Sequence, residues 1–356
     1  MKKTILHFIY SLGRGGAETM LVRVIKELKE YNNIVVTLKA DNDFEGELEC
    51  DKLISMDLKS IATFPLGIKK LKTIIKENNV DMVHSHLFWP TVISRIAVPK
   101  NIPLVTTIHT FVCTSLDYKK WYIRSIGKFT YKLRKSVIIT VAKGAQEEYF
   151  SFLKLKPYKT FVLYTFVDLE RYSKQNNTLP NSHFKLISTG SLKKQKNQRF
   201  LIQVMALLKD SDIELHIYGE GPLRQELQQL IDKTGAKVTL KGTVKNVEDI
   251  LPQYDAFVMS SAFEGFSLAV LEAMAVKIPM LLSDISSFRE QCSDTSLYYK
   301  FDDTVSFLNQ LELLRNNNAE RDRLRNDAYE RVRANFTLPH HMLQLRKIYT
   351  EVLDGQ

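Results

Sequence analysis

Short apolar runs of strand length alternate with amphipathic helical stretches along almost the whole chain, and few folds accommodate that pattern. Residues 4–10 read as a strand, the loop Ser11 to Gly16 follows, and residues 17–30 line up Met20, Leu21, Val24, Ile25 and Leu28 on one side of a helix. Further strands read at 34–38, at 80–86 (ending in His84 and His86), at 103–107 (running on to His109), at 137–141 and at 160–164, with a helix near 68–77. Residues 169–183, rich in Asn, Ser and Lys and containing Pro180, read as a linker. The alternation then restarts, with strands at 185–188, 214–218, 237–241, 256–259 and 278–283 and helices beginning near 198, 222 and 268. With 356 residues the chain is too long for one ordinary core. The fold class is therefore α/β, with two doubly wound parallel sheets. An amphipathic helix over residues 338–353 ends the sequence.

The most informative stretch is YDAFVMSSAFEGFSLAVLEAMAVKIPMLLSDISSFRE, which reads strand, loop, helix, strand. Ser267 suits the N-cap of the helix, and Pro279 follows its end. The helix is apolar on nearly every face except at Glu272, where a carboxylate is costly to bury unless hydrogen-bond donors meet it. Sugar hydroxyls are such donors. Glu264 lies in the loop before the helix, where backbone N–H groups of Ser267, Leu268 and Ala269 would favour an anion. Two carboxylates with an anion site between them describe a pocket for a phosphorylated sugar.

EGFSLAVLEAMA resembles the two-glutamate signature of the GT-B-fold glycosyltransferases, in particular the retaining enzymes of family 4. That resemblance implies two Rossmann-like domains facing across a cleft. The acceptor-binding domain would span 1–168, with a final helix at 339–356 packing back onto it, and the donor-binding domain 169–338. It places Glu264 against the sugar hydroxyls, Glu272 on the ribose, and Lys196 with the Ser267 and Leu268 amides on the diphosphate, with Gly265 and Phe266 also in the donor site.

Three other motifs gain meaning beside it. The loop Gly13-Arg14-Gly15-Gly16 opens a helix, and glycines there let backbone approach a phosphate. Alone it is a weak signal, matching neither a dinucleotide fingerprint nor a P-loop; in the family a similar loop, matched by Gly15 and Gly16, faces the donor diphosphate. In GSLKKQKNQ, Gly190 and Lys196 fit the family pattern, but Ser191 stands where an arginine is usual and Asn197 where a glycine is usual. Lys193 or Lys194 would replace that arginine only imperfectly, because lysine lacks the bidentate fork. YGEGPLR and GTV resemble the nucleobase pocket, read by backbone near Val244. His109 matches the position beside the transferred sugar. TFVD, residues 165–168, agrees with its family counterpart only in Val167 and Asp168 and is given no role.

His84, His86 and His109 could also form a metal cluster, and Asp41-Asn42-Asp43 imitates a metal-binding carboxylate pair. The histidines have no local carboxylate at ligand spacing, and Asp41-Asn42-Asp43 follows the second strand and enters an acidic loop with Glu45, Glu47, Glu49 and Asp51, so no metal or other cofactor is expected. The three cysteines, Cys50, Cys113 and Cys292, are scattered and give no disulfide framework. No apolar run spans a membrane, and the opening MKKTILHFIY reads as a first strand, not a signal peptide, so a cytoplasmic location is expected.

The formal charge of +10 is carried by residues 1–168, most densely between Lys119 and Lys159, where Trp121, Tyr122, Phe129 and Tyr131 are interleaved. Such a surface suits anionic lipid or a phosphorylated acceptor, and on charge alone nucleic acid. The expectation is a retaining, metal-independent transfer from a UDP-sugar to a lipid-linked or membrane-proximal glycan, peripheral on the inner membrane face and without nucleic acid. The alternatives are a non-catalytic subunit of the same fold, suggested by Ser191, and a nucleotide-sugar 2-epimerase.

Overall fold

In a computed structural model of the chain, residues 2–58, 63–109, 120–172 and 183–355 are described. The chain divides into two compact units, Met1–Thr165 with His341–Gln356, and Phe166–His340. Cys113, Lys119 and most of the expected linker, residues 173–182, lie outside the described residues.

The first unit is built on seven parallel strands, β1 (Thr4–Ile9), β2 (Asn32–Thr37), β3 (Lys52–Ser55), β4 (Met82–His86), β5 (Leu104–Ile108), β6 (Val137–Thr140) and β7 (Lys159–Val162), in the order β3-β2-β1-β4-β5-β6-β7. β1, β4 and β5 are buried at every residue, as strands covered by helices on both faces must be. Leu6 and Phe8 pack with Leu71 of the helix Phe64–Glu77 and Ile93 of the helix Phe88–Ala97. On the other face Ile9 meets Leu21, Val22 and Ile25 of the helix Gly16–Glu27. His7 alternates with Leu6 and Phe8, so it shares the face of Ile9.

The second unit holds six parallel strands, β8 (Phe184–Thr189), β9 (Ile213–Tyr218), β10 (Val238–Gly242), β11 (Ala256–Met259), β12 (Met280–Ser283) and β13 (Leu297–Tyr299), in the order β10-β9-β8-β11-β12-β13. Leu186, Leu215, Ile217 and Val258 from the sheet pack with Phe200, Leu227 and Phe307 from its helices. The last helix, Leu338–Asp354, gives its residues from His341 onward to the first unit.

In each sheet the strand order reverses once, between β1 and β4 and between β8 and β11. Loops leaving the carboxyl ends of such neighbouring strands diverge and leave a crevice for a ligand. The loop 11–16 leaves β1, the segment 87–88 leaves β4, the loop 190–197 leaves β8 and the loop 260–267 leaves β11. Of the candidate catalytic and donor-binding residues, all except His109, Val244, Leu268 and Glu272 lie on these four connections.

Candidate active site

In the second unit, adjacency of β8 and β11 brings two distant motifs into contact. Glu264, 9% exposed, accepts hydrogen bonds at Oε1 from Lys196 Nζ and Ser261 Oγ, both at 2.6 Å. Oε2 receives none among the described residues. The two loops are also joined through backbone: Ser260 Oγ donates to the carbonyls of Lys196 and Asn197, and the Ala262 N–H to that of Gln195. Asn197 sits at φ +49°, a left-handed conformation that asparagine tolerates well, so its place in the motif carries little strain. Gly190 lies under the stem of Lys196, where an added Cβ would sit 3.4 Å from Cε. Ser191 is half-buried and its carbonyl accepts from Gln198 Nε2, whereas Lys193 and Lys194 are exposed.

The helix Leu268–Ala275 begins where expected, with Ser267 at the N-cap, but two expectations there are corrected. The Ser267 side chain makes no cap; its N–H donates to Gln291 Oε1 at 3.0 Å and its carbonyl accepts from Gln291 Nε2 at 2.8 Å. An amide paired with a buried glutamine is not free for a phosphate, which leaves Leu268 and Ala269 to offer N–H groups at that end. Phe266 packs its ring on Phe336, with centroids 5.1 Å apart, so only its backbone can face a ligand. Gly265 and Leu268 are half-buried, as is Val244 in the loop after β10.

Glu272 does not wait for ligand hydroxyls alone. Tyr172, 5% exposed, donates from its hydroxyl to Oε1 at 2.9 Å. Burial and the neighbouring Glu272 charge push the Tyr172 hydroxyl well above its ordinary value, so it remains a donor. Glu272 is half-buried, not sealed, and a carboxylate can accept several hydrogen bonds.

In the first unit, Gly15 caps the helix Gly16–Glu27 in an extended conformation. A Cβ on Gly15 would lie 2.3 Å from Glu18 Oε2, so the helix's own third-position carboxylate already covers its amino end. Burial raises the Glu18 carboxyl above the usual range. Arg14 is drawn to the acidic loop, donating to Glu47 Oε1 at 2.7 Å and to the Asp43 carbonyl. Asp43 accepts from the Arg14 N–H and Asn42 from the Phe44 N–H, so this loop is a hydrogen-bonded turn.

The register of β1 against β4 sets His7 beside His84, and His86 follows two residues on, on the same face. His109 reaches His86, with Nε2 3.1 Å from His86 Nδ1. Leu87, between His86 and the next helix, holds φ +66° and ψ 173°, a glycine-like conformation that costs about 1–3 kcal/mol in other residues. The histidines, with His341, line a cavity of about 30 Å³ under the helix Gly16–Glu27 and the last helix. His7 and His341 were not singled out by the sequence.

One ring nitrogen each of His7, His84 and His86 lies within 4.8 Å of the others. His84, however, uses Nδ1 on the Tyr349 hydroxyl and Nε2 on Thr107 Oγ1, at 2.6 and 2.7 Å. His7 Nδ1 and His86 Nε2 remain unengaged among the described residues. Two imidazole nitrogens without a carboxylate fall short of the four donors of a structural zinc site.

Burial holds His7 and His109 down to about 4, and His84 and His86 well below the ordinary imidazole range. His109 keeps part of its surface in solvent and counts for less than His7. Histidines kept neutral in the fold take up protons on unfolding. Their contribution is complete above the unfolded value of 6.5 and is lost as pH falls through 6.5 towards 4. Each such proton costs about 1.4 kcal/mol per pH unit in that window. The first unit is expected to melt progressively earlier as pH falls below 6.5, with a shallower slope in His7→Gln. A melting temperature that does not change across that window would refute this account.

Residues 14–171 match the family model "Glycosyltransferase Family 4" and residues 170–331 the model "Glycosyl transferases group 1". Among curated relatives, the chain is 28% identical over 346 residues to the N-acetylgalactosamine-N,N'-diacetylbacillosaminyl-diphospho-undecaprenol 4-alpha-N-acetylgalactosaminyltransferase of Campylobacter jejuni, covering 92% of this chain and 94% of that one. It is also 28% identical to the capsular polysaccharide biosynthesis glycosyltransferase CapH of Staphylococcus aureus, over 83% of this chain and 84% of that one. Among solved structures, Anabaena HepE in complex with UDP and glucose shares the fold with a TM-score of 0.83 at 17% identity, over 98% of this chain and 100% of that one.

Proposed function

The chain belongs to the glycosyltransferases of the GT-B fold, and on that premise we propose that it moves a sugar from a UDP-sugar to a lipid-linked acceptor, with retention and without a metal. The observation that carries this reading is the Glu264–Lys196–Ser261 group where β8 and β11 lie side by side, with Glu272 in the helix that follows the Glu264 loop. When the glycosyl–phosphate bond breaks, negative charge grows on the departing diphosphate. Lys196 and the N–H groups of Leu268 and Ala269 meet that charge. Glu264, with Oε2 unengaged among the described residues, accepts from the sugar hydroxyls, and Glu272 shares the ribose with Tyr172. The acceptor oxygen bonds to the anomeric carbon on the face the phosphate leaves, and its proton passes to a phosphate oxygen. Backbone near Val244, in the loop after β10, reads the base.

The Campylobacter relative is named for an undecaprenol-linked acceptor and the Staphylococcus relative for capsule synthesis, which supports a role in bacterial glycoconjugate assembly at the inner membrane face. HepE binds UDP, which supports a uridine donor. Calorimetry is expected to show UDP binding in preference to GDP. Glu272→Ala should weaken UDP by about 10- to 100-fold, the loss of one or two hydrogen bonds to a charged group. Transfer from a UDP-sugar should require a lipid-linked acceptor. Unchanged UDP affinity in the variant, or an epimerised UDP-sugar formed without acceptor, would overturn the reading.

A further inference from the structure

We propose that the outer face of the helix Trp121–Leu133 is a docking surface for an anionic lipid bilayer. This deepens the reading of a lipid-linked acceptor and rests on it only for the reason a bilayer is present. The helix, WYIRSIGKFTYKL, contains no acidic residue. Arg124, Lys128 and Lys132 recur every fourth position and so form one ridge, an arrangement of like charges that destabilises an isolated helix. None of the three has an ion pair with a described residue. Beside that ridge Trp121 is 72% exposed, Phe129 67% and Leu133 55%. Large apolar side chains flanked by unpaired cations are what a bilayer interface accepts: rings among the headgroups, ammonium and guanidinium groups on the phosphates.

The helix cannot turn this face inward. Its underside, Ile123, Gly127, Thr130 and Tyr131, is buried. The buried Arg95 fixes it from the helix Phe88–Ala97, donating to the Gly127 carbonyl at 3.3 Å and lying 5.0 Å from the centre of the Tyr131 ring. Rotation would break that bond and bury a second set of cations. The surface continues past the helix to Tyr158, 61% exposed, with Lys135 Nζ 5.8 Å from its ring centre. A duplex nucleic acid would use the cations but has no place for Phe129 and Leu133, so the bilayer is the better-matched partner.

The test uses the full chain and vesicles of phosphatidylcholine with and without phosphatidylglycerol. The protein should sediment with the anionic vesicles and not with the neutral ones, and emission of the exposed Trp121 should shift to the blue. Lys128→Glu with Lys132→Glu, and separately Phe129→Glu, should each lower vesicle partition about ten-fold or more. Lys132 and Phe129 are exposed and Lys128 is half-buried on the same ridge, and both variants should melt and bind UDP like the parent, so loss of docking is separable from loss of the donor site. Absence of sedimentation with anionic vesicles would overturn the proposal. Wild-type partition by Phe129→Glu would also overturn it, because the surface would then be a general polyanion site such as one for nucleic acid.

Discussion

Glu264→Gln is expected to slow sugar transfer by about 100-fold while leaving UDP affinity and melting temperature nearly unchanged. Glutamine keeps the shape of the side chain and an oxygen that can accept from Lys196 Nζ and Ser261 Oγ, so the contacts that fix the loop survive. What disappears is the negative charge beside the sugar, where positive charge develops as the donor bond breaks. Glu264→Ala tests something else. It strands the Lys196 ammonium, whose side chain is only 14% exposed, and removing one member of a buried pair costs about 3–5 kcal/mol. The alanine variant should therefore lose stability as well as turnover. Adding Lys196→Met should recover part of the stability and none of the turnover, which assigns the two losses to different causes. Full turnover by Glu264→Gln would remove the carboxylate from the mechanism.

This pair also shows how much of the site could be read from the sequence. Glu264 and Lys196 were each recognisable from their own motifs, yet they are 68 positions apart and nothing local says that they touch. Their contact follows from the strand order, because β8 and β11 are neighbours only where the sheet reverses. His7 was hidden for the same reason: within TILHFI it looks like one more core position, and only the register against His84 turns it into a cluster member. Tyr172 and Gln291 left no signal, since a hydrogen-bond donor 100 residues from Glu272 has no spacing to betray it. Secondary structure was legible where both faces of a strand are covered and the apolar run is continuous. β3 was missed because it is an edge strand, mostly exposed, whose KLIS carries no sustained pattern. The helix Phe88–Ala97 was missed because FWPTVISRIA mixes an early proline with β-branched residues and is buried nearly all round, which removes the helical periodicity.

Gly219→Ala is expected to lower the stability of the second unit by about 3 kcal/mol or more and to abolish donor binding with it. The residue holds φ +143°, where a side chain is strained whatever the space around it. Here there is no space either: the new Cβ would lie 2.0 Å from the Gly190 carbonyl oxygen and 2.7 Å from its carbon, and backbone cannot swing aside as a lysine tip can. The Gly190 N–H is bonded to the Tyr218 carbonyl and the Gly219 N–H to that of Gly242, so relief at one point breaks the junction of β8, β9 and β10. That junction carries the strand end from which Gly190 and Lys196 rise toward Glu264. Gly235→Ala is the control, also at positive φ (+65°) but with nothing within 4 Å of the added methyl, and should cost about 1 kcal/mol and leave UDP binding intact. Calorimetric melting and UDP titration of the two variants decide the matter, and equal losses in both would mean that conformation alone, not the contact between Gly190 and Gly219, sets the requirement.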